Sequence, residues 1–141
     1  MTEFFPEFAD DNRKFDWNAD VYSIQEHYIE KGGKVWVSEA KGELLGFGCL
    51  RIVDSNTAEI KRVRISRQHR GKGLGKSIIK QIEGYCSSSK IFKVLVDTDD
   101  RFETAKSMYS GMGYTICRTE IDVKDGREYK DHYYEKILQH A

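Results

Sequence analysis

Apolar and polar positions alternate along "KVWVSEA" (34–40) and "LLGFGCLRIV" (44–53), which are separated by "KGE". Side chains of an extended strand point to its two faces in turn, so two such runs around a glycine turn predict an antiparallel hairpin. The next run, "TAEIKRVRI" (57–65), breaks its own rhythm. Ala58 and Ile60 share one face, whereas Val63 and Ile65 have the opposite parity. One extra residue near Lys61-Arg62, a β-bulge, brings all four to one face and leaves main-chain N–H groups available to a ligand.

The period then changes. Leu74, Ile78, Ile82 and Tyr85 recur at spacings of three and four, with Ile79 and Cys86 widening the stripe, which predicts an amphipathic helix. "IFKVLVD" (91–97) is a near-continuous apolar run, the pattern of a strand covered on both faces. Strand, helix, strand in that order makes a crossover unit, so the strands ending at Ile65 and Asp97 are expected to be parallel. A second helix follows, with Asp100 and Glu103 as a capping box, Asp100 the cap, and Phe102, Ala105, Met108, Tyr109 and Met112 as its apolar face. It ends at "GMGY". "YTICRTEIDV" and "YKDHYYEKIL" flank "KDGR", a hairpin turn signal. Upstream, Asn18 with Val21, Ile24, Tyr28 and Gly32-Gly33 reads as a short capped helix ended by glycine. Phe4, Phe5 and Phe8 either cap a core or sit in a groove. The sum is a single domain over 1–141, α/β (α+β) in class, with helices packed on a mixed, mostly antiparallel sheet.

Composition narrows the function. A chain of 141 residues, 39% hydrophobic, suits one cored domain. Charged residues make up 33%, yet the formal net charge is zero, so no overall field draws the protein to nucleic acid or to an acidic membrane. Cys49, Cys86 and Cys117 lie far apart without metal-ligand spacing, so no metal site is expected, and reduced thiols fit a cytoplasmic location. The N-terminus lacks the basic flank and apolar run of a secretory signal, and no stretch has membrane-spanning length.

The chemistry concentrates in "HRGKGLGKS" (69–77), where three glycines alternate between basic residues. A nucleotide-hydrolase P-loop needs G-x-x-x-x-G-K-[ST]. Gly75-Lys76-Ser77 supplies its end, but Arg70 stands where the first glycine belongs. A dinucleotide fold needs G-x-G-x-x-G, and Gly71, Gly73 and Gly75 have a different spacing. A plain turn would need glycine for positive φ, but not three alternating glycines with basic flanks.

Arg70-Gly71-Lys72-Gly73-Leu74-Gly75 matches the [QR]-x-x-G-x-[GA] signature of acetyl-CoA-binding N-acetyltransferases. With "AKSMYSGMGY", similar to that family's A-x-x-x-Y-x-x-x-G-[FY], the chain resembles the GNAT superfamily over roughly residues 34–119. The resemblance implies a twisted sheet with a splayed parallel strand pair and helices on both faces. It also implies direct transfer of acetyl from acetyl-CoA (coenzyme A) to a primary amine, on a small molecule or a polypeptide. Backbone N–H groups at a helix N-terminus suit a diphosphate. Arg70, Gly71, Lys72, Gly73, Leu74, Gly75, Lys76 and Ser77 would hold the pyrophosphate, and main-chain groups of Val63, Arg64 and Ile65 the pantetheine arm. The resemblance places the acid that protonates the leaving thiolate at Tyr109; without it, Tyr109 would be a core tyrosine.

For the base, Glu59 and Asp97 both match positions where relatives carry a carboxylate, with Glu59 the first choice; each also reads as an ordinary strand charge. Asp97, Asp99, Asp100, Glu120 and Asp122 read equally as a group at one end of the sheet that attracts a cation and as an ordinary exposed edge. Phe102 stands where many relatives have asparagine, Arg67 replaces a common proline, and the family's first strand is hard to find before residue 18. A non-catalytic acyl-CoA-binding module on the same scaffold is the competing reading. Expected partners are the amine acceptor and, within what the family allows, a second copy in a homodimer, with no nucleic acid and no membrane.

Overall fold

The computed structural model describes residues 32–99 and 102–138. The helix expected from Asn18 and the phenylalanines near the N-terminus lie outside the described residues. Among the described residues six strands form one sheet: β1 (Lys34–Ala40), β2 (Glu43–Asp54), β3 (Thr57–Ile65), β4 (Lys93–Asp99), β5 (Thr115–Lys124) and β6 (Arg127–Ile137), in the spatial order β1-β2-β3-β4-β6-β5. A 3₁₀ turn (Arg67–His69) and helix α1 (Leu74–Ser88) connect β3 to β4, and helix α2 (Glu103–Gly111) connects β4 to β5. Among these described strands only β3 and β4 are parallel, and every other pair is antiparallel. The mixed sheet expected from the sequence is therefore present. "KDGR" closes as a two-residue hairpin with positive φ at Asp125 (51°) and Gly126 (74°), the handedness that matches the strand twist.

The bulge in β3 lies one residue beyond its expected place. Phe47 pairs with Arg64 and Cys49 with Lys61, so Arg62 and Val63 together stand opposite Gly48. The consequence is the one inferred from parity: Ala58 and Ile60 are buried, and Val63 and Ile65 pack against the same core. Ile78, Ile79, Ile82 and Cys86 of α1 and Tyr109 of α2 meet Leu50, Val94, Val96 and Tyr134 of the sheet on that face. Both helices thus cover one face among the described residues. The opposite face carries its own buried residues, Val35, Phe47, Cys49 and Glu59.

Two details of α2 differ from expectation. Its N-cap is Phe102, without a side-chain cap bond, and Glu103 is the first helical residue. A capping box needs the glutamate three residues past the cap, and here Glu103 follows the cap directly; Asp100 itself lies outside the described residues. Phe102 is 56% exposed and so does not join the apolar face. A polar cluster fixes the far end of this helix. Tyr114 donates to Glu83 Oε2 at 2.6 Å, and Lys136 Nζ donates to Glu83 Oε1 and Oε2 at 3.1 and 3.2 Å.

Glycine at 48 is a packing requirement. A Cβ there would lie 2.8 Å from Ile78 Cγ2 and 3.3 Å from Ile82 Cδ1, whereas one at Gly84 on α1 would meet nothing within 4 Å. Gly48→Ala should therefore cost about 1–3 kcal/mol through strain between sheet and helix. Gly84→Ala should add about 0.5–1 kcal/mol by helix propensity. Urea unfolding of the two variants should show shifts of opposite sign.

Candidate active site

Strands β3 and β4 separate part-way along. Their pairing runs from Thr57↔Lys93 to Ile60↔Val96 and stops. Beyond that point β3 stays with β2, through Phe47↔Arg64 and Gly46↔Ile65, while β4 stays with β6, through Asp97↔Tyr133 and Thr98↔His132. The closed end is anchored: the Asn56 carbonyl accepts hydrogen bonds from the amides of Phe92 (2.9 Å) and Lys93 (3.0 Å). The result is a wedge between two strand ends.

The wedge is lined by main chain. The Ser66 amide bonds the Leu45 carbonyl on β2 at 2.8 Å. Main-chain groups alternate in direction along a strand, so those of Arg64 also face β2 and those of Val63 and Ile65 face the wedge. Two guanidinium groups reach the carbonyls there. Arg64 Nη1 donates to Val63 O at 3.2 Å and Arg70 Nε to Ile65 O at 3.1 Å. Arg70 is thus tied to the strand end, and its terminal nitrogens are the part left for a phosphate.

The glycine loop leads from this strand end into α1. Gly71 and Gly73 have φ of 78° and 82°, which other residues adopt only with strain. The first main-chain bond of the helix runs from the Ser77 amide to the Gly73 carbonyl, at 3.0 Å. Among the described residues the amides from Gly71 to Lys76 have no main-chain acceptor, as a helix start requires. They open beside a cavity of about 460 Å³ lined by Gly73, Lys76, Ser77, Lys80 and Gln81. These donors, two ammonium groups and the open space fit a diphosphate. Gly75 faces inward: a Cβ on it would lie 3.5 Å from Met108 Sδ of α2.

Tyr109 is buried, its ring 5.7 Å from that of Tyr114 and 6.1 Å from that of Tyr134, whose residue pairs with Val96 where the wedge begins. Burial, followed by the charge of Asp97, pushes its phenol up to about 12, against the pull of Arg64. The proton is therefore held firmly, and both charged groups act on it from the wedge.

The carboxylates form a network on the opposite sheet face. Glu59, with a side chain 7% exposed, accepts from Arg51 Nη2 at 2.6 Å and Nε at 3.2 Å. Lys61 Nζ stands 3.5 Å from Glu59 Oε2 and 3.1 Å from Asp97 Oδ1. Asp131 on β6 completes the group. Burial, then the charge of Asp97 and a hydrogen bond to it, push the Asp131 carboxyl up to about 6, with Tyr133 and Lys61 pulling it down. Glu120 lies near, accepting from the Tyr133 hydroxyl at 3.4 Å. Cys117 sits in β5 at a register shift, exposed, its Sγ bonded to the Tyr133 carbonyl.

The structure thus brings Val63, Ile65, Tyr109 and Asp97 to one wedge, and residues 70–77 to its outer end. Glu59 is close by but sealed. Sequence reasoning missed Asp131, Arg51, Lys80 and Gln81, and used Lys61 only to mark the bulge. The alternation in "YKDHYYE" places Asp131 and Tyr133 on one face, but putting that face beside Asp97 requires the β4–β6 register. Lys80 and Gln81 follow Lys76 and Ser77 by one helical turn, which the periodicity alone could have found.

The comparisons with known proteins agree with this geometry. The model of the acetyltransferase (GNAT) family matches residues 1–114, and the chain belongs to that family. It is 27% identical over 101 residues to N-acetyltransferase family 8 member 2 of Rattus norvegicus, covering 68% of this chain and 45% of that protein. It is 28% identical over 89 residues to an uncharacterized N-acetyltransferase of Bacillus subtilis (strain 168), covering 62% of this chain and 59% of that protein. The chain thus spans about half the length of the curated relatives it matches. Its fold resembles a GNAT family acetyltransferase from Elizabethkingia anophelis with acetyl-CoA bound (TM-score 0.70, 18% identity, 82% of each chain). It also resembles a ribosomal-protein-alanine N-acetyltransferase from Brucella melitensis (TM-score 0.74, 16% identity, 94% of this chain and 88% of that one). Among the described residues no helix is long and apolar enough to cross a membrane, and no cluster of metal-ligating side chains occurs.

The carboxyl pair has a measurable consequence. Asp131 ionises later in the folded protein than at its ordinary 3.8, so folding is favoured by this group at low pH and loses that contribution as the pH rises through about 6. Asp131→Asn removes the penalty. Thermal melts should place the variant above the wild type near pH 8, with the difference shrinking as the pH falls towards about 4.

Proposed function

We propose that the protein is an acetyl-CoA-dependent N-acetyltransferase that moves acetyl directly to a primary amine. The observation that carries this reading is the early end of the β3–β4 pairing at Ile60↔Val96, with main-chain groups of Val63 and Ile65 turned into the space beyond. A pantetheine arm can complete that broken sheet by pairing with β3. The amides of residues 71–76, with Lys72, Lys76 and the Arg70 nitrogens, would take the pyrophosphate. An amide at the Arg62-Val63 bulge would polarise the acetyl carbonyl.

Tyr109 is the acid in this reading. A phenol held protonated beside the wedge can donate to a departing thiolate. The base must take a proton from the acceptor ammonium, which has no lone pair until it does. Asp97 is favoured over Glu59 for that role. The Glu59 carboxylate is sealed under Arg51 and Lys61, whereas the Asp97 side chain is 23% exposed and sits at the wedge. The carboxyl groups of Glu59, Asp97, Asp131 and Glu120 on one face would favour a cationic acceptor.

Two experiments test the reading. Acetyl-CoA at about a hundredfold over its Kd should stabilise the fold by about 2.7 kcal/mol and raise the Tm by several degrees, while ATP with magnesium should not. A coenzyme-A release assay against a panel of peptides and small amines should find an acceptor. With that acceptor, Tyr109→Phe should lower kcat by about 10²-fold or more and leave acetyl-CoA affinity close to normal. Unchanged kcat would remove Tyr109 from the reaction, and acetyl-CoA binding with no transfer to any amine would favour a binding module.

A further inference from the structure

Lys61 is a charged group at the wedge to which this reading gives no task. It is the first residue of β3 beyond the last parallel pair, Ile60↔Val96, and Asp97 is the first of β4 beyond it. Had the strands stayed together, these two would have been the next partners. Their backbones part while their side chains still meet, with Lys61 Nζ 3.1 Å from Asp97 Oδ1. Lys61 shares its face with Glu59, two residues back, and the 3.5 Å approach to Glu59 Oε2 holds the amine from a second side. Its side chain is 32% exposed, so it is neither locked in a core nor loose in solvent.

An acceptor for acetyl transfer needs a primary amine at the wedge, a carboxylate within hydrogen-bond distance of its nitrogen, and room to move a short way towards the thioester. Lys61 supplies the first two within this chain, and its partly exposed side chain is not enclosed by the core. We propose that Lys61 is a self-acetylation site, modified by the acetyl-CoA bound to the same molecule. The inference rests on the acetyltransferase reading above. The Lys61 ammonium passes a proton to Asp97, and the freed lone pair attacks the acetyl carbonyl carbon. The new C–N bond forms and the C–S bond breaks, its electron pair leaving on sulfur; the thiolate takes the Tyr109 proton, and the nitrogen, still carrying two hydrogens, loses the second to solvent to become a neutral amide. Solvent restores Tyr109 and removes the proton from Asp97, so the products are acetyl-lysine, coenzyme A and one proton.

The ion pairs hold the amine in its charged form, which slows the step; its fixed position at the wedge works in the other direction, because an intramolecular reactant has a high effective concentration. The modification also changes the site. An amide at position 61 no longer offsets the charge of Asp97, so the acidic face meets an incoming cation with one fewer competing ammonium.

The test uses the full chain, prepared with Lys61 unmodified as checked by mass. It is mixed with acetyl-CoA, and acetylation of each lysine is followed by peptide fragmentation. Lys61 should acquire one acetyl group with a rate independent of protein concentration and at least about tenfold faster than exposed lysines outside the site, such as Lys41 and Lys90. Tyr109→Phe should slow Lys61 by about 10²-fold and leave the exposed lysines unchanged. Lys61→Arg should lose the fast phase. A chain whose Tm rises with acetyl-CoA but whose Lys61 reacts no faster than the exposed lysines overturns this inference and leaves the acetyltransferase reading standing. A rate that grows with protein concentration overturns the intramolecular route. Absence of any acetyl-CoA effect on Tm overturns both.

Discussion

The site depends on how little of the parallel strand pair is joined. Four residue pairs, Thr57↔Lys93 to Ile60↔Val96, connect β3 to β4, and the Asn56 carbonyl fastens the start of that segment to Phe92 and Lys93. Past Val96 each strand is held by its outer neighbour instead. Because β2 and β6 satisfy one side of each strand, the other side can remain open without either strand fraying. The bulge opposite Gly48 contributes twice. It returns Val63 and Ile65 to the core face, and it turns β3 at the place where it leaves β4.

The two helices position the chemistry from one side. α1 begins where β3 ends, so its unpaired amides lie at the outer end of the wedge. α2 is held by Tyr114, which stands just past its C-cap Met112 and Gly113 and is bonded to Glu83 on α1, while Lys136 of β6 bonds the same carboxylate. This part-buried cluster joins both helices to the sheet. Tyr109 packs edge-on against Tyr114, so the phenol inherits its position from a network that has no chemical part in the site.

Most of the fold was legible in the chain because periodicity reports burial. The hairpins, the crossover unit and the bulge followed from parity and spacing alone. The cofactor loop was legible because glycines at alternate positions have few other uses. The polar network was not. Asp131 meets Asp97 only through a register that joins residues far apart in sequence, and Arg51 reaches Glu59 across a hairpin. Glu59 and Asp97 look alike in the sequence; their difference in enclosure arises only once Arg51 and Lys61 are in place. The start of α2 was misread because an acidic pair three apart resembles a cap wherever it occurs, whereas the helix begins only at Glu103.

Gly75 touches three parts of the site at once. An added methyl there would stand 3.5 Å from Met108 Sδ and 3.8 Å from Ile65 Cγ1, ordinary contact distances with no room to spare beyond them. The first turn of α1, the tip of β3 and the helix carrying Tyr109 are therefore spaced so that position 75 holds nothing larger than a methyl. A bulkier side chain at 75 would press on Met108 and Ile65 together, so the size of this one residue limits how closely the phosphate loop can sit to the helix that carries the phenol.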